Sequence, residues 1–223
     1  MHYDLIIFDC DGVLIDSEII SARMLINELA KLGVDVDLAY ISRHFLGRSY
    51  PTVMEIIRRE FHLVLPDDFE DRYRARLLSA FEQELKVMPH LSSVIDRLAI
   101  PYCVATSSSP LRAAKSLQHV GLGHLVGPSL FTSTMVAHGK PAPDLFLFAA
   151  SRMQAEPSRC LVIEDSLTGI RAAKAAGMDV WRFVGGSHMR DHTQDEPQDA
   201  RPNKWFSSFA DFFQIAPDLE ART

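Results

Sequence analysis

The sequence predicts an α/β fold in which a doubly wound parallel sheet carries an inserted, all-helical cap domain. Five short apolar segments have the composition of buried strands, and segments with helical periodicity lie between the later ones. Residues 17–87, which follow the first strand, contain no convincing strand. Strands that alternate with helices along a chain form parallel sheets that helices cover on both faces.

The five candidate strands are short and poor in polar residues. The first, Tyr3–Phe8, has the sequence YDLIIF, which suits a strand that is buried on both faces. The other four are Tyr102–Thr106, Pro128–Thr132, Cys160–Glu164 and Asp179–Val184.

Segments with helical periodicity separate the later strands. Segment 110–122 begins with a proline, which the first turn of a helix tolerates. Segment 143–153 follows the third strand, and segment 166–178 follows the fourth and contains Gly177, a residue suited to end a helix. After the fifth strand, His188–Lys204 is polar and irregular, which predicts a surface loop.

Residues 17–87 interrupt the alternation of strands and helices. Apolar residues recur at intervals of three and four from Ala22 to Leu32, and Gly33 is suited to end that helix. Segments 51–63 and 67–85 have helical patterns as well. Because a crossover between parallel strands needs only about a dozen residues, the surplus predicts a separate cap domain. The α/β core then comprises residues 1–16 and 88–223, with hinges near Asp16 and Met88.

The composition excludes several classes of protein. Apolar residues make up 47% and charged residues 23%, as in an ordinary globular protein. A net charge of −6 does not indicate the excess of positive charge that binds nucleic acid or an anionic membrane. Three scattered cysteines, Cys10, Cys103 and Cys160, do not form a disulfide framework and fit a reducing compartment. Without a leader segment or an apolar run of about 18 residues, the chain is expected to be cytoplasmic, with a monomer as the default.

Polar side chains follow four of the candidate strands at the point where each strand ends. Ligands of an open α/β sheet bind at the carboxyl ends of its strands, so these side chains are expected to form one site. In strand order they are Asp9 and Asp11, then Thr106 and Ser107, then Lys140, and finally Glu164 and Asp165.

The four carboxylates of this set need compensation. Two like charges about 4 Å apart repel by about 4 kcal/mol at an effective dielectric constant of 20, so a proton or a cation must offset them. Oxygen ligands without a nearby histidine or cysteine pattern favour Mg²⁺ over zinc. Mg²⁺ commonly binds a substrate phosphate as well, to which Thr106 and Lys140 would supply a donor and a positive charge. Asp9 is then a candidate nucleophile, and Asp11 a candidate proton donor.

Each of these residues also has an ordinary structural interpretation. A single aspartate after a strand is often a turn residue, and Glu164 and Asp165 suit the start of the following helix. Lys140 can be a solvated loop cation. The occurrence of all of them in strand-end order favours a functional site.

Four motifs in this order resemble the haloacid dehalogenase superfamily. The motifs are DCDGVLIDS (Asp9–Ser17), Thr106 at the end of the second strand, GKPAPD (Gly139–Asp144) and EDS (Glu164–Ser166). The overall pattern is similar to the branch of sugar-phosphate phosphatases and β-phosphoglucomutases, which includes bacterial 6-phosphogluconate phosphatases. The inserted helices resemble the helical cap of that superfamily.

The resemblance implies roles for the carboxylates. Asp9 is the nucleophile that becomes an aspartyl phosphate, and Asp11 is the general acid and then the base that activates water. Mg²⁺ is held by the Asp9 carboxylate, the backbone carbonyl of Asp11 and Asp165, with Glu164 acting through water.

The resemblance also implies how the substrate is bound. Thr106, the backbone amide of Ser107 and Lys140 hold the phosphoryl oxygens of a small phosphorylated metabolite, a sugar phosphate or sugar-acid phosphate. Related proteins place substrate contacts in the cap, where Arg48 could clamp a carboxylate or hydroxyl; a solvated arginine at a helix end is the structural alternative. His188 and His192 lie four residues apart in the predicted polar loop and are not expected to bind a metal.

Alternative functions share parts of this pattern. A phosphomutase also uses Asp9 and Asp11, but it passes the phosphoryl group to a substrate hydroxyl. A dehalogenase lacks the second aspartate, and phosphonate cleavage needs a Schiff-base lysine in the cap, for which Lys31 and Lys86 are poorly placed. A non-catalytic phosphate sensor or scaffold is a further alternative, which the complete set of catalytic residue types disfavours.

Overall fold

A parallel sheet of six strands lies at the centre of the fold in this computed structural model, which describes residues 2–45, 47–190 and 196–221. The strand order is β3-β2-β1-β4-β5-β6, so β1 lies between β2 and β4. The strands are β1 (Leu5–Phe8), β2 (Tyr102–Thr106), β3 (Leu130–Thr132), β4 (Cys160–Glu164), β5 (Asp179–Phe183) and β6 (Lys204–Phe206). The predicted doubly wound parallel sheet is confirmed.

Side chains of β1 alternate between two apolar layers. Leu5 and Ile7 belong to one buried cluster, and Ile6 and Phe8 belong to another. All four side chains are buried, as expected of a central parallel strand with helices on both faces. The helices are α1 (Glu18–Ala30), α2 (Leu38–His44), α3 (Tyr50–Phe61), α4 (Phe69–Glu84), α5 (Leu91–Ile95), α6 (Pro110–His119), α7 (Asp144–Arg152), α8 (Leu167–Ala175) and α9 (Phe212–Ile215).

Helices α1 to α4, here called the helical insertion, lie between β1 and β2 in the chain. Helix α1 packs against α2 and α4. Buried residues of the insertion, such as Leu25 and Leu77, belong to the same apolar cluster as Phe8 of the sheet. No strand occurs in the described part of residues 17–87, as the sequence predicts.

Two chain crossings connect the sheet to the helical insertion. The Asp16 amide donates a hydrogen bond to the Lys86 carbonyl at 3.0 Å, and the Met88 amide donates one to the Leu14 carbonyl at 2.9 Å. The outgoing and returning chains therefore pair beside each other, at the positions where hinges were expected.

The segment His188–Lys204 differs from its prediction as a polar surface loop. Residues 187–189 and 198–200 form short 3₁₀ turns, Met189 and Ala200 are buried, and Lys204 begins β6. The prediction is wrong for these residues because their burial depends on contacts with distant segments. Residues 191–195 lie outside the described part of the chain.

Two further features of the chain are the state of its cysteines and the length of its apolar helices. Cys10, Cys103 and Cys160 are buried and free. Across the residues described, every helix is too short or too polar to cross a membrane.

Candidate active site

The ends of β1 and β4 meet at the point where the strand order reverses. The register places Phe8 beside Ile163, and the Asp9 amide donates a hydrogen bond to the Ile163 carbonyl at 2.9 Å. Asp9 therefore leaves the sheet next to Glu164. A switch point of this kind opens a crevice outside the carboxyl ends of the strands.

Three carboxylates form a buried cluster in this crevice. Asp9, Glu164 and Asp165 each offer an oxygen, and these oxygens all lie within 4.8 Å of one another. Burial, chiefly, raises the pKa of Asp9 and Asp165 well above the ordinary value, and the charge of Glu164 adds to both shifts. The buried Oδ2 of Asp165 accepts no hydrogen bond from the described residues. An all-oxygen set with an orphaned buried acceptor fits a hard divalent cation.

Lys140 joins the cluster from the segment before α7. Its buried ammonium donates hydrogen bonds to Asp9 Oδ1 at 2.5 Å, to Glu164 Oε1 at 2.8 Å and to the Ala105 carbonyl at 3.1 Å. Burial alone would lower the pKa of Lys140, but the charges of Asp9 and Glu164 outweigh burial and raise it. Lys140 is therefore a permanent positive charge against the end of β1.

The Asp11 carboxylate contacts other residues than the three-carboxylate cluster does. Its carboxylate accepts hydrogen bonds from Ser17 Oγ and Ser108 Oγ, both at 2.5 Å, and from Arg112 Nη2 at 2.7 Å. Burial would raise the pKa of Asp11, but the Arg112 charge and the two hydroxyl donors lower it below the ordinary value. Asp11 is thus held ionised, and its carboxylate is not part of the three-residue cluster.

Thr106 and Ser107 continue the site from β2. Thr106 is buried, and its Oγ1 accepts a hydrogen bond from the Ser108 amide at 3.0 Å. Ser107 Oγ donates to the Gly47 carbonyl of the helical insertion at 3.3 Å. Both residues line the same cavity as Asp9 and Asp11.

The helical insertion supplies the opposite wall of this cavity. Arg48 lines it and is exposed, and its role as a substrate contact stays a prediction. The other lining residues of the insertion are Glu18, Ser21, Ala22, Leu25, Ile41, Phe45, Gly47, Tyr50, Val53, Met54 and Tyr73. A substrate bound to Asp9 would meet this mixed polar and apolar wall.

Two charged residues of the cavity were not predicted from the sequence. Nothing in the sequence marks Arg112 as functional beyond its place in the first turn of a helix. In the structure it donates a hydrogen bond to Asp11 and another to Ser21 Oγ, at 3.1 Å. Glu18 looks like an ordinary acidic residue at a helix start. Burial, chiefly, and the charges of Asp11 and Asp165 raise the pKa of Glu18 to about 8.

His188 lies at the cluster rather than at the surface. Its side chain is 4% exposed, and its Nε2 is 2.9 Å from Asp165 Oδ2. The prediction of a surface loop is therefore wrong at His188, because the loop after β5 folds back over the ends of β1 and β4. His192 lies outside the described residues.

The chain is similar in sequence to two bacterial phosphatases. Over 188 residues the chain is 26% identical to 6-phosphogluconate phosphatase of Escherichia coli (strain K12), which covers 84% of this chain and 85% of that protein. It is 33% identical over 182 residues to fructose-1-phosphate phosphatase YqaB of the same strain, covering 80% of this chain and 95% of that one.

A solved structure shares the fold as well. It is a HAD family hydrolase from Deinococcus radiodurans R1 with bound phosphate and sodium, 29% identical, with a TM-score of 0.77 and 99% of each chain covered. Residues 3–177 match the family described as haloacid dehalogenase-like hydrolase. The resemblance inferred from the motifs is confirmed, and the chain belongs to the haloacid dehalogenase-like hydrolases.

Proposed function

We propose that this hydrolase is a Mg²⁺-dependent phosphatase that cleaves a small sugar phosphate or sugar-acid phosphate through an aspartyl phosphate. The observation that carries the proposal is the position of Asp9, which lies at a strand end against Lys140 and two further carboxylates. The relatives named as phosphatases of 6-phosphogluconate and fructose 1-phosphate support the substrate class. The bound phosphate of the Deinococcus structure supports a phosphoryl site.

The cation would be held by the carboxylates of Asp9 and Asp165 and by the backbone carbonyl of Asp11, with Glu164 acting through water. When bound, Mg²⁺ supplies positive charge that offsets the buried carboxylates and the phosphoryl oxygens. Lys140, the Thr106 hydroxyl and the Ser107 amide would bind those oxygens from the other side.

Asp9 and Asp11 divide the chemistry between them. A carboxylate oxygen of Asp9 attacks phosphorus, and the bond from phosphorus to the leaving oxygen breaks while Asp11, in its protonated form, gives that oxygen a proton. Water then attacks the aspartyl phosphate, gives a proton to Asp11 and releases inorganic phosphate. The contacts with Arg112, Ser17 and Ser108 favour the ionised form of Asp11, which suits this second, basic role. The proton that Asp11 takes from water in the second step is the one that it gives to the leaving oxygen in the next turnover.

The helical insertion would act as a cap domain over residues 17–87, with the core formed by residues 1–16 and 88–223. Its helices cover the cavity that contains Asp9, so they would exclude water during phosphoryl transfer and contact the leaving group. Arg48 is the candidate for that contact, because it reaches the cavity from the segment between α2 and α3.

A screen of phosphorylated metabolites with Mg²⁺, read by released inorganic phosphate, tests the proposal. Asp9→Asn is the matched control, because the amide keeps the shape of the side chain and removes the nucleophile. We expect the variant to lose at least about a thousandfold in kcat while remaining folded. Equal phosphate release by both proteins would overturn the covalent mechanism, and an isomerised sugar phosphate without free phosphate would indicate a mutase.

A further inference from the structure

The loop that follows β5 brings His188 against the carboxylate cluster. We propose that His188 is a positioning residue, which donates a ring N–H to Asp165 when the cation is bound and so orients this carboxylate toward it. The inference rests on the cation site proposed above. It assigns a task to a residue outside the four motifs.

The contact between His188 and Asp165 is fully buried. The two side chains are 4% and 2% exposed, and Nε2 lies 2.9 Å from Oδ2. Neither ring nitrogen of His188 forms a hydrogen bond with the rest of the described chain. Burying a polar group without a partner is costly, so a buried imidazole beside a carboxylate points to a contact that is completed when the site is filled.

Two glycines form the slot that holds the imidazole. A Cβ atom on Gly12 would lie 2.1 Å from Asp165 Oδ2 and 3.0 Å from His188 Cε1. A Cβ atom on Gly186 would lie 2.6 Å from the same ring carbon. Any side chain at either position would push the ring or the carboxylate away, so the backbone is shaped to let these two groups touch.

The backbone on both sides of the imidazole is fixed. The Ser187 amide and hydroxyl both donate to Asp16 Oδ1, at 3.0 and 2.8 Å, and the Met189 amide donates to the Gly186 carbonyl at 2.9 Å. Asp16 is also the residue whose amide bonds to Lys86 where the chain enters the helical insertion. Because the backbone on both sides of His188 is fixed, the residue loses little conformational entropy when its ring orients Asp165.

The geometry favours a positioning role over direct ligation. The set of mutually close ligand atoms found among the described residues comprises Asp9, Glu164 and Asp165; His188 is not in this set and contacts Asp165. Groups that hydrogen-bond a metal ligand from outside the coordination shell typically change metal affinity by about 10- to 100-fold when they are removed.

The test compares His188→Gln with His188→Met, two side chains of similar size that fill the slot and differ in the N–H donor. Mn²⁺ is the probe, and its dissociation constant is measured by the electron paramagnetic resonance of the free ion without substrate. We expect His188→Met to weaken Mn²⁺ binding by about 10- to 100-fold and His188→Gln by less than about threefold. Thermal unfolding in metal-free buffer shows whether each variant is folded.

His138→Ala is the matched control, because that histidine is largely exposed and pairs with Asp144. Its Mn²⁺ binding should equal that of the wild type. Equal binding by the Gln, Met and wild-type proteins would overturn the role of His188 and leave the proposed function intact. Equal weakening by Gln and Met would also overturn it, since the donor would then be irrelevant. No Mn²⁺ binding by the wild type would overturn the cation site itself.

Discussion

Asp9 and Asp11 stand two residues apart, and their surroundings shift their pKa values in opposite directions. Burial raises the pKa of Asp9, with two further carboxylates adding to the shift, whereas Arg112 and two hydroxyl groups hold the pKa of Asp11 low. Neighbouring acids whose environments separate their pKa values commonly take different roles in catalysis. In the proposed mechanism, a cation and Lys140 compensate the charge of the first carboxylate, and proton transfer belongs to the second.

Metal dependence follows from the carboxylate cluster. Because Asp9, Glu164 and Asp165 are buried together, activity should be lost when a chelator removes divalent ions and return when Mg²⁺ is added. Ca²⁺ should inhibit, since its longer and looser coordination suits in-line attack less well. Phosphate release measured in chelator, Mg²⁺ and mixed Mg²⁺/Ca²⁺ buffers checks both expectations. Full activity in metal-free buffer would contradict the cation site.

Arg112 sets the pH range in which Asp11 is a base. The Arg112 charge lowers the pKa of this buried carboxyl, so Arg112→Gln should raise that pKa. When the pH is lowered, Asp11 of the variant should therefore become protonated at a higher pH than Asp11 of the wild type. The acidic limb of the kcat profile should therefore move upward by about one pH unit or more. Arg97→Gln, which removes a surface partner of Glu220, is the control and should leave the limb in place. An unmoved limb in Arg112→Gln would mean that another group is the base.

At the scale of elements, the central strands were predictable and the last one was not. β1 and β4 have apolar residues on both faces, which reflects helices above and below them. β6 has three residues at the sheet edge, begins with an exposed lysine and lacks a pattern long enough to recognise. His188 was missed for a similar reason: its burial depends on Gly12 and Asp165, which are far away in the sequence, so the polarity of the residues around His188 does not indicate it.

The junction of β4 and α8 is built around a glycine. Gly169 lies in α8, where alanine would ordinarily stabilise the helix by about 1 kcal/mol. Here a Cβ atom would lie 1.6 Å from Glu164 Oε1, so Gly169→Ala should instead lower the free energy of unfolding by about 1–3 kcal/mol. It should also weaken activity, because Glu164 must move away from Lys140.

Gly123→Ala is the control for this effect. Its added Cβ atom would lie at an ordinary 3.5 Å from the nearest side chain, so stability and activity should change little. Urea unfolding and phosphate release measured on both variants make the comparison. A Gly169→Ala protein as stable and active as the wild type would show that Glu164 is free to shift.

For the whole molecule, chemistry and recognition occupy different parts of the chain. Every residue assigned to phosphoryl transfer ends or follows a strand of the sheet, whereas the opposite wall of the cavity comes from the helical insertion. The four motifs predicted the first part because strand ends converge by topology. The second part could not be read from the sequence beyond Arg48, since residues such as Tyr50 and Tyr73 meet only when separate helices pack together.

This division predicts that Arg48→Ala impairs a cognate sugar phosphate far more than a small chromogenic ester, which barely reaches the insertion. Losing one charged contact in a desolvated site should cost about 1.5–3 kcal/mol in kcat/KM for the cognate substrate. Arg59→Ala, which removes a largely exposed arginine of α3, should affect neither substrate. The measurement is kcat/KM for both substrates on all three proteins. Equal losses on the two substrates would mean that Arg48 acts through folding, because a contact with the leaving group must distinguish a substrate that fills the cavity from one that does not.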